Sequence, residues 1–132
     1  MNAVFVDTSA FLALLVSDDA KHARAARAFE ALAIDETALI SSSYVLIETY
    51  ALLQRRVGLD ATLAMRDAIA PLIDIVWVGR SIHDAALDRL VRSAQRKLSL
   101  VDCTSFEIMA RQGLQQVFTY DKHFSQEGFG VL

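Results

Sequence analysis

Cysteine, proline and glycine are scarce in this chain, which has 132 residues but only one cysteine, one proline and five glycines. The lone Cys103 cannot form an intramolecular disulfide, and no paired Cys or His motif indicates zinc. A single free thiol is compatible with the reducing cytoplasm, where we expect the protein to act. The sequence also lacks repeats and Gly- or Ser-rich linkers, which favours one domain over residues 1–132.

Long hydrophobic runs are absent as well. The apolar stretch at residues 10–16 follows an aspartate and has no basic residue before it, unlike a secretory signal. A membrane-spanning helix needs about 20 apolar residues. We therefore predict a core helix here and no association with a membrane.

An excess of positive charge is missing too. The formal net charge is −3, whereas most domains that bind nucleic acids are basic. If four of the 16 acidic residues hold metal ions, twelve acids remain against 13 Lys and Arg. A nuclease that binds its substrate through cations need not be basic, so the charge neither supports nor excludes RNA.

Strand-like and helical patterns alternate along the chain. Short β-branched and aromatic runs predict strands at residues 3–6, 38–41, 73–78, 116–119 and 129–132. Helical spacing predicts helices at residues 10–15, 20–32, 44–56, 60–70, 82–94 and 100–111. The alternation predicts a three-layer α/β/α fold around a parallel sheet of four or five strands. We expect Pro71 to end the fourth helix and Trp77, within an apolar strand, to lie in the core.

Four acidic residues lie where a metal site is expected. Asp7 directly follows the first strand, and Asp121 follows the fourth strand by two residues. Asp102 begins the helix before that strand. Because functional sites of α/β folds lie at the carboxyl ends of the strands, these three should gather at one edge of the sheet. Glu48 is the only charged residue in the apolar stretch 44–53, and we expect it on a buried face that reaches the same edge.

Carboxylates that cluster in this way repel one another unless cations neutralise them. Ligand sets made only of oxygen suit Mg²⁺ or Mn²⁺, which retain several waters and bind substrate phosphates. The chemistry that such a site indicates is hydrolysis of phosphodiester bonds.

Each acid also has a purely structural interpretation. Asp7 is suited to cap the helix that follows it, and Ser99 with Asp102 is suited to start another. Asp121 fits a turn, and Glu48 could form an ion pair with a following arginine. For the three aspartates taken singly, these roles are the favoured ones. Their joint positions are what favour a shared site.

Four segments with these acids carry a family resemblance: residues 6–10 (VDTSA), 47–48 (IE), 100–103 (LVDC) and 119–124 (TYDKHF). Their order and spacing, over essentially the whole chain, resemble PIN-domain proteins of the toxin type found in bacterial toxin–antitoxin pairs, the VapC family. The resemblance implies a single PIN domain and a Mg²⁺- or Mn²⁺-dependent endoribonuclease, a hydrolase inhibited by a small antitoxin protein.

The resemblance also implies roles for particular residues. Asp7, Glu48, Asp102 and Asp121 correspond to the acidic quartet of the family, which is both catalytic and metal-binding. Thr119 matches the family's accessory hydroxyl, and Thr8 and Ser9 are weaker candidates. We further expect a homodimer, because the helices should leave apolar surface for an antitoxin or a second copy around Phe11, Leu15, Val45 and Leu52.

Other polar residues are weaker candidates. Two basic groups could hold RNA phosphates, although a solvated helix face is the favoured interpretation of both: Lys21, His22, Arg24 and Arg27, and Arg89, Arg92 and Arg96. The three histidines, His22, His83 and His123, show no spacing typical of a metal pair, and we expect surface or packing roles for them. Cys103 is expected in the core, since no histidine is arranged to activate it.

Three other function classes share parts of this pattern. A phosphatase with an aspartyl nucleophile needs a second aspartate where this chain has Ser9. A response-regulator receiver needs a phosphoacceptor aspartate where Gly79 and Arg80 stand. A non-catalytic metal- or RNA-binding interaction protein of the same fold remains the alternative hypothesis.

Overall fold

The computed structural model describes residues 2–132 and contains a five-stranded sheet in which every strand pair is parallel. The strand order is β3-β2-β1-β4-β5. The strands are β1 (Ala3–Val6), β2 (Ala38–Ser42), β3 (Asp74–Val76), β4 (Gln116–Phe118) and β5 (Gly130–Val131). The predicted α/β class and parallel sheet are confirmed.

Seven α-helices connect the strands in the described residues. They are α1 (Thr8–Leu15), α2 (His22–Ile34), α3 (Ser43–Arg56), α4 (Leu59–Ala64), α5 (Arg80–Ser93), α6 (Leu100–Gln112) and α7 (His123–Gln126). Six of them correspond to predicted helices, and the short α7 was not predicted. Gly113 ends α6 in a left-handed conformation with φ of 67°, which glycine adopts without steric cost.

Residues 59–72 form three consecutive helical segments rather than the one regular helix that was predicted. After α4 the chain widens into a π-helical turn at Met65–Ile69 and then tightens into a 3₁₀ turn at Ala70–Leu72. Pro71 lies inside this last turn instead of ending the helix before it. Proline is tolerated there because the amides of a first helical turn have no intrahelical acceptor.

The neighbouring strands β1 and β4 form the switch point of the sheet. The chain leaves β1 through α1 and α2 toward β2, whereas it leaves β4 through α7 toward β5 on the other side. Right-handed crossovers then place α1 to α4 on one face and α5 to α7 on the other. Connections that diverge in this way open a crevice at the carboxyl ends of the two strands. Residues that follow β1 and β4 therefore face the same crevice.

Aromatic side chains fill much of the core. Five phenylalanines are fully buried: Phe5, Phe11, Phe106, Phe118 and Phe124. Phe106 of α6 packs edge-on against Phe124 of α7, with ring centroids 5.0 Å apart. This contact holds the short α7 against α6, which matters because α7 carries residues of the crevice.

Trp77 is not a core residue, and the prediction for it was wrong. Its side chain is 75% exposed. The strand β3 lies at the edge of the sheet and ends at Val76, one residue earlier than this tryptophan. The apolar run at residues 73–78, from which the strand was predicted, therefore extends beyond the end of β3.

The exposed apolar surface lies elsewhere than expected. Phe11 and Val45 are fully buried, and Leu15 and Leu52 are half-buried against the core. The large apolar side chains that α3, α4 and their connection expose are Ile47, Val57, Leu59 and Leu63. No helix among residues 2–132 is long and apolar enough to cross a membrane.

Helix α6 begins with a capping box. The Asp102 backbone N–H donates to Ser99 Oγ at 3.0 Å, and the Ser99 backbone N–H donates to Asp102 Oδ2 at 3.2 Å. This reciprocal pair satisfies two amides at the helix start and fixes where Asp102 lies. The structural interpretation of Ser99 and Asp102 is thus correct, and it does not compete with a site role, since a carboxylate has further lone pairs.

Replacing Ser99 tests the contribution of this cap. We expect Ser99→Ala to lower the free energy of unfolding by about 1 kcal/mol, because one helix amide loses its acceptor. Ser99→Thr should retain most of the stability. Ser17→Ala, at an exposed turn position, is the control and should change little. Chemical denaturation measures all three, and a loss for Ser17→Ala equal to that for Ser99→Ala would contradict the assignment.

Candidate active site

The first component of the site is the buried carboxylate of Asp7, which is only 4% exposed. Its backbone N–H donates to the Phe118 carbonyl at 3.1 Å, which extends the pairing of β1 and β4 by one bond. Its Oδ2 accepts hydrogen bonds from Thr119 Oγ1 at 2.9 Å and from Ser9 Oγ at 3.0 Å. Although Asp7 occupies the N-cap position of α1, its side chain accepts no capping bond.

The same two hydroxyls also organise the loop after β4. Ser9 Oγ accepts the Tyr120 backbone N–H at 2.9 Å, and Thr119 Oγ1 accepts the Asp121 backbone N–H at 3.0 Å. Each hydroxyl therefore donates to Asp7 and accepts from the loop. The network fixes residues 119–121 relative to Asp7 through two short hydroxyl side chains.

Burial dominates the protonation behaviour of Asp7. Loss of solvent raises the pKa of this carboxyl from its ordinary value of 3.8 to about 6, and the charge of Asp102 adds to the increase. The hydrogen bonds from Thr119 and Ser9 act in the opposite direction, because they stabilise the ionised form. Burial likewise raises the pKa of Asp102, with a further contribution from the charge of Asp121.

The second component of the site is a compact group formed by Asp102, Asp121 and His123. One ligand atom from each lies within 4.8 Å of the others. His123 Nδ1 is 3.1 Å from Asp121 Oδ1 and 3.4 Å from Asp102 Oδ2. The sequence suggested no site role for His123, and its place beside two carboxylates makes such a role a prediction. The sequence signal for this placement was that His123 lies in segment 119–124, two residues after Asp121. The helix that it begins is too short to be recognised from sequence.

The donor set of this group fits a divalent cation. His123 Nδ1 is buried and has no well-directed hydrogen bond within residues 2–132, even though two carboxylate oxygens lie close to it. The Asp121 carboxylate is oriented by the His123 backbone N–H, which donates to Oδ1 at 2.9 Å. Two carboxylates and an imidazole nitrogen at this separation can bind one ion, and such mixed oxygen and nitrogen ligands suit Mn²⁺ and, less well, Mg²⁺.

Glu48 lies apart from these hydrogen bonds. Its side chain is half-exposed, rather than buried as expected, in a shallow apolar groove that it lines with Ile47 and Val101. Val101 directly precedes Asp102, so Glu48 faces the first turn of α6. Within residues 2–132 it forms no ion pair with an arginine. A role for Glu48 in the site remains a prediction.

The two basic groups have different surroundings. Arg89 lies near Glu107 at 3.6 Å and Glu127 at 3.8 Å, so its charge is balanced within the protein. Lys21 and Arg24 instead lie over the ring of Tyr120, beside the site. His22 Nδ1 contacts the Ala13 carbonyl, which is the packing role expected for it.

Cys103 is fully buried in the core, as expected. Burial raises the pKa of its thiol, and the neighbouring charge of Asp102 raises it further. Both effects disfavour the nucleophilic thiolate.

Known proteins match this chain over almost its whole length. The pattern of the PIN domain matches residues 4–129. The 23S rRNA-specific endonuclease VapC20 of Mycobacterium tuberculosis is 35% identical over 127 residues, which are 96% of this chain and 95% of that protein. Ribonuclease VapC26 of the same organism is 27% identical over 124 residues, covering 92% and 90% of the two chains.

Solved structures agree with these sequence comparisons. The crystal structure of M. tuberculosis VapC20, described as a toxin that cleaves the sarcin–ricin loop, superposes with a TM-score of 0.84 at 34% identity, over 96% of this chain and 95% of that one. FitAcB from Neisseria gonorrhoeae has a TM-score of 0.69 at 15% identity, over 98% and 96% of the chains, and shares the fold. This chain therefore belongs to the PIN domain family.

Proposed function

We propose that this chain is a Mg²⁺- or Mn²⁺-dependent endoribonuclease, a hydrolase of RNA phosphodiester bonds, and the toxin of a toxin–antitoxin pair. The observation that carries the proposal is the convergence of Asp7, Asp102 and Asp121 at the switch point of the sheet. Sequence identity of 35% to a 23S rRNA-specific endonuclease, over 96% of this chain, also supports hydrolysis of RNA.

Asp102, Asp121 and His123 would hold a divalent ion, with Asp7 beside them. Such an ion supplies Lewis acidity and neutralises the charge of a phosphodiester group. Burial of Asp7 and Asp102 restricts water around them and would strengthen their interaction with a cation. Glu48 would join from α3 as the fourth acid of the quartet.

Thr119 and Ser9 act on Asp7 rather than on the substrate. Their hydroxyls hold the carboxylate in one orientation and lower its pKa, which opposes the effect of burial. Asp7 therefore remains ionised, and able to bind a cation, at a lower pH than burial alone would permit. Thr119 is in this sense a positioning residue, consistent with an accessory hydroxyl.

The substrate and the partners follow from the relatives. We propose ribosomal RNA, including the sarcin–ricin loop of 23S rRNA, as the first substrate class to test, and the cytoplasm as the place of action. The exposed side chains of Ile47, Val57, Leu59 and Leu63 are our candidates for contact with an antitoxin protein or with a second copy in a homodimer.

The alternative is a non-catalytic metal- or RNA-binding interaction protein of the same fold. A protein of this kind would keep the acids for binding and would cleave no RNA with either metal. Metal-dependent cleavage of RNA by the purified protein separates the two functions.

Removing the Asp7 charge tests the nuclease. We expect purified protein to cleave ribosomal RNA with Mn²⁺ or Mg²⁺ and not with EDTA. Asp7→Asn should reduce the rate by at least about 100-fold, because one carboxylate ligand is removed. The matched control is Asp88→Asn, an exposed carboxyl on α5 without an ion pair in residues 2–132, which should keep the wild-type rate. A folded Asp7→Asn protein with wild-type turnover would falsify the assignment.

The raised pKa of Asp7 predicts how stability without metal depends on pH. The folded protein favours the protonated form of the Asp7 carboxyl. The stability gained from this protonation is fully present below about pH 3.8 and is lost as the pH rises through about 6. In EDTA at about pH 8, Asp7→Asn should be more stable than wild type by up to roughly 3 kcal/mol, since one pKa unit corresponds to about 1.4 kcal/mol. The difference should shrink toward pH 4. Denaturant unfolding at several pH values measures it, and a constant difference would contradict the burial argument.

The role of His123 is tested by metal binding itself. We expect His123→Ala to lower the affinity for Mn²⁺ by about 10- to 100-fold, measured by calorimetry, and to affect Mg²⁺ less, because imidazole is a better ligand for Mn²⁺. The control is His22→Ala, whose ring contacts a backbone carbonyl away from the carboxylates. Equal affinities in wild type and His123→Ala would exclude the imidazole from the site.

A further inference from the structure

Tyr120 is fixed at the rim of the site. Its backbone N–H donates to Ser9 Oγ, which also donates to Asp7. Its ring packs edge-on against buried Phe118, with centroids 6.1 Å apart and planes at 71°. The ring therefore keeps a defined place relative to the carboxylates.

Two cations from the start of α2 lie over this ring. Lys21 Nζ is 4.9 Å from the ring centroid of Tyr120, and Arg24 Cζ is 5.5 Å from it. Both distances are within the range of about 6 Å over which a cation is attracted to an aromatic face. The ring thus holds two long and exposed side chains near the site.

Neither cation has an acidic partner within residues 2–132. The other basic side chains near acids are neutralised locally, as Arg111 is by Glu107 at 3.0 Å. Other basic residues, such as Arg92 and Arg96, also lack an acidic partner within residues 2–132, but Lys21 and Arg24 lie over Tyr120 beside the site. Exposed cations beside a carboxylate site raise the local concentration of anionic ligands there.

Tyr120 and Lys21 separate two clefts that adjoin the site. One cleft, of about 420 Å³, reaches Ser9 on the site side and Arg56 on the other. The second, of about 260 Å³, contains Arg24, Thr119, Asp121 and Lys122. A strand of RNA that crosses this rim would meet basic side chains in both clefts and the carboxylate of Asp121 in the second.

We infer that Lys21 and Arg24, positioned by Tyr120, form a binding site for RNA backbone phosphates next to the bond that is cleaved. The inference rests on the proposed ribonuclease function and assigns its substrate contact. Backbone phosphates are the ligand because both side chains carry donors for phosphate oxygens, every nucleotide offers such oxygens, and contacts to them require no particular base.

Salt-dependent RNA binding tests the pair directly. The probe is a short, mixed-sequence, single-stranded RNA with a fluorescent label, and all proteins carry Asp7→Asn so that the probe stays intact. We expect Lys21→Gln with Arg24→Gln to weaken binding at least about tenfold at low salt. The binding constant decreases with salt concentration, and the slope of its logarithm against log salt should become shallower by about 0.7 for each phosphate that the protein no longer neutralises.

A second double variant is the matched control. Arg92→Gln with Arg96→Gln removes the same charge from the end of α5 and the residues after it, and neither side chain lines the two clefts. It should leave affinity and slope close to those of the Asp7→Asn parent. An equal weakening in both double variants would show that only net charge matters and would overturn the inference.

Variants of Tyr120 test its positioning role. Tyr120→Phe keeps the ring and should bind RNA like the parent, whereas Tyr120→Leu removes the ring and should bind RNA several-fold more weakly. Thermal unfolding shows whether the leucine variant remains folded. If the leucine variant unfolds, the Lys21 and Arg24 variants still test the phosphate site, because substitutions of these two exposed side chains should not disturb the fold.

The results separate this inference from the proposed function. RNA cleavage by the wild type together with unchanged binding in the Lys21 and Arg24 variant keeps the nuclease and rejects the phosphate site. Binding that depends on the pair, without cleavage by the wild type, rejects the nuclease and keeps the site. Failure of the parent to bind the probe even at low salt rejects the inference.

Discussion

The buried carboxylate of Asp7, held by Thr119 and Ser9 between β1 and β4, is the interaction on which the organisation of the site depends. The two strands are neighbours, but the chain leaves them in opposite directions, so little else would fix the loops that follow them. Two hydroxyls on one carboxylate oxygen provide that link. The same hydroxyls accept hydrogen bonds from the backbone N–H groups of residues 120 and 121, so the loop after β4 keeps a fixed place relative to Asp7.

The buried pair of Asp7 and Asp102 lowers the stability of the fold. A carboxylate that is removed from water, near a second one, costs free energy whenever both are ionised, and the raised pKa values of Asp7 and Asp102 record that cost. A fold selected for stability alone would place a neutral side chain at position 7. Under the proposed function, a bound cation would offset this repulsion, which gives a charged residue at position 7 a reason in binding rather than in stability.

The features that could be predicted from the sequence are those that depend on local pattern. Strand and helix periodicity indicated the parallel α/β sheet, since each element is recognisable from its own residues. The gathering of Asp7 and Asp121 followed from one topological rule about the carboxyl ends of strands. The helix start at Ser99 and Asp102 needed only a four-residue motif.

The features that could not be predicted depend on contacts between distant segments. His123 joins the two carboxylates because the four-residue helix α7 is held against α6 by Phe124 and Phe106, and so short a helix has no periodicity to detect. Trp77 is exposed because β3 ends one residue before it at the sheet edge, and where a strand ends depends on its neighbour. The half-exposure of Glu48 likewise depends on how α3 packs beside α6, which no local pattern encodes.

The placement of charge explains how a chain of net charge −3 could act on a polyanion. Without a bound ion, the carboxylates would repel RNA phosphates, and Lys21 and Arg24 would face that repulsion at close range. A divalent ion in the site would cancel two of the three aspartate charges, and Lys21 and Arg24 would then outweigh the charge that remains, so that the ion and the two cations could attract the same strand. Under the proposed function, ion binding and RNA binding would then be coupled, and by thermodynamic linkage each would strengthen the other by the same factor. The unpaired state of Lys21 and Arg24 within residues 2–132 is consistent with this coupling, because a permanent acidic partner would cancel their contribution to it.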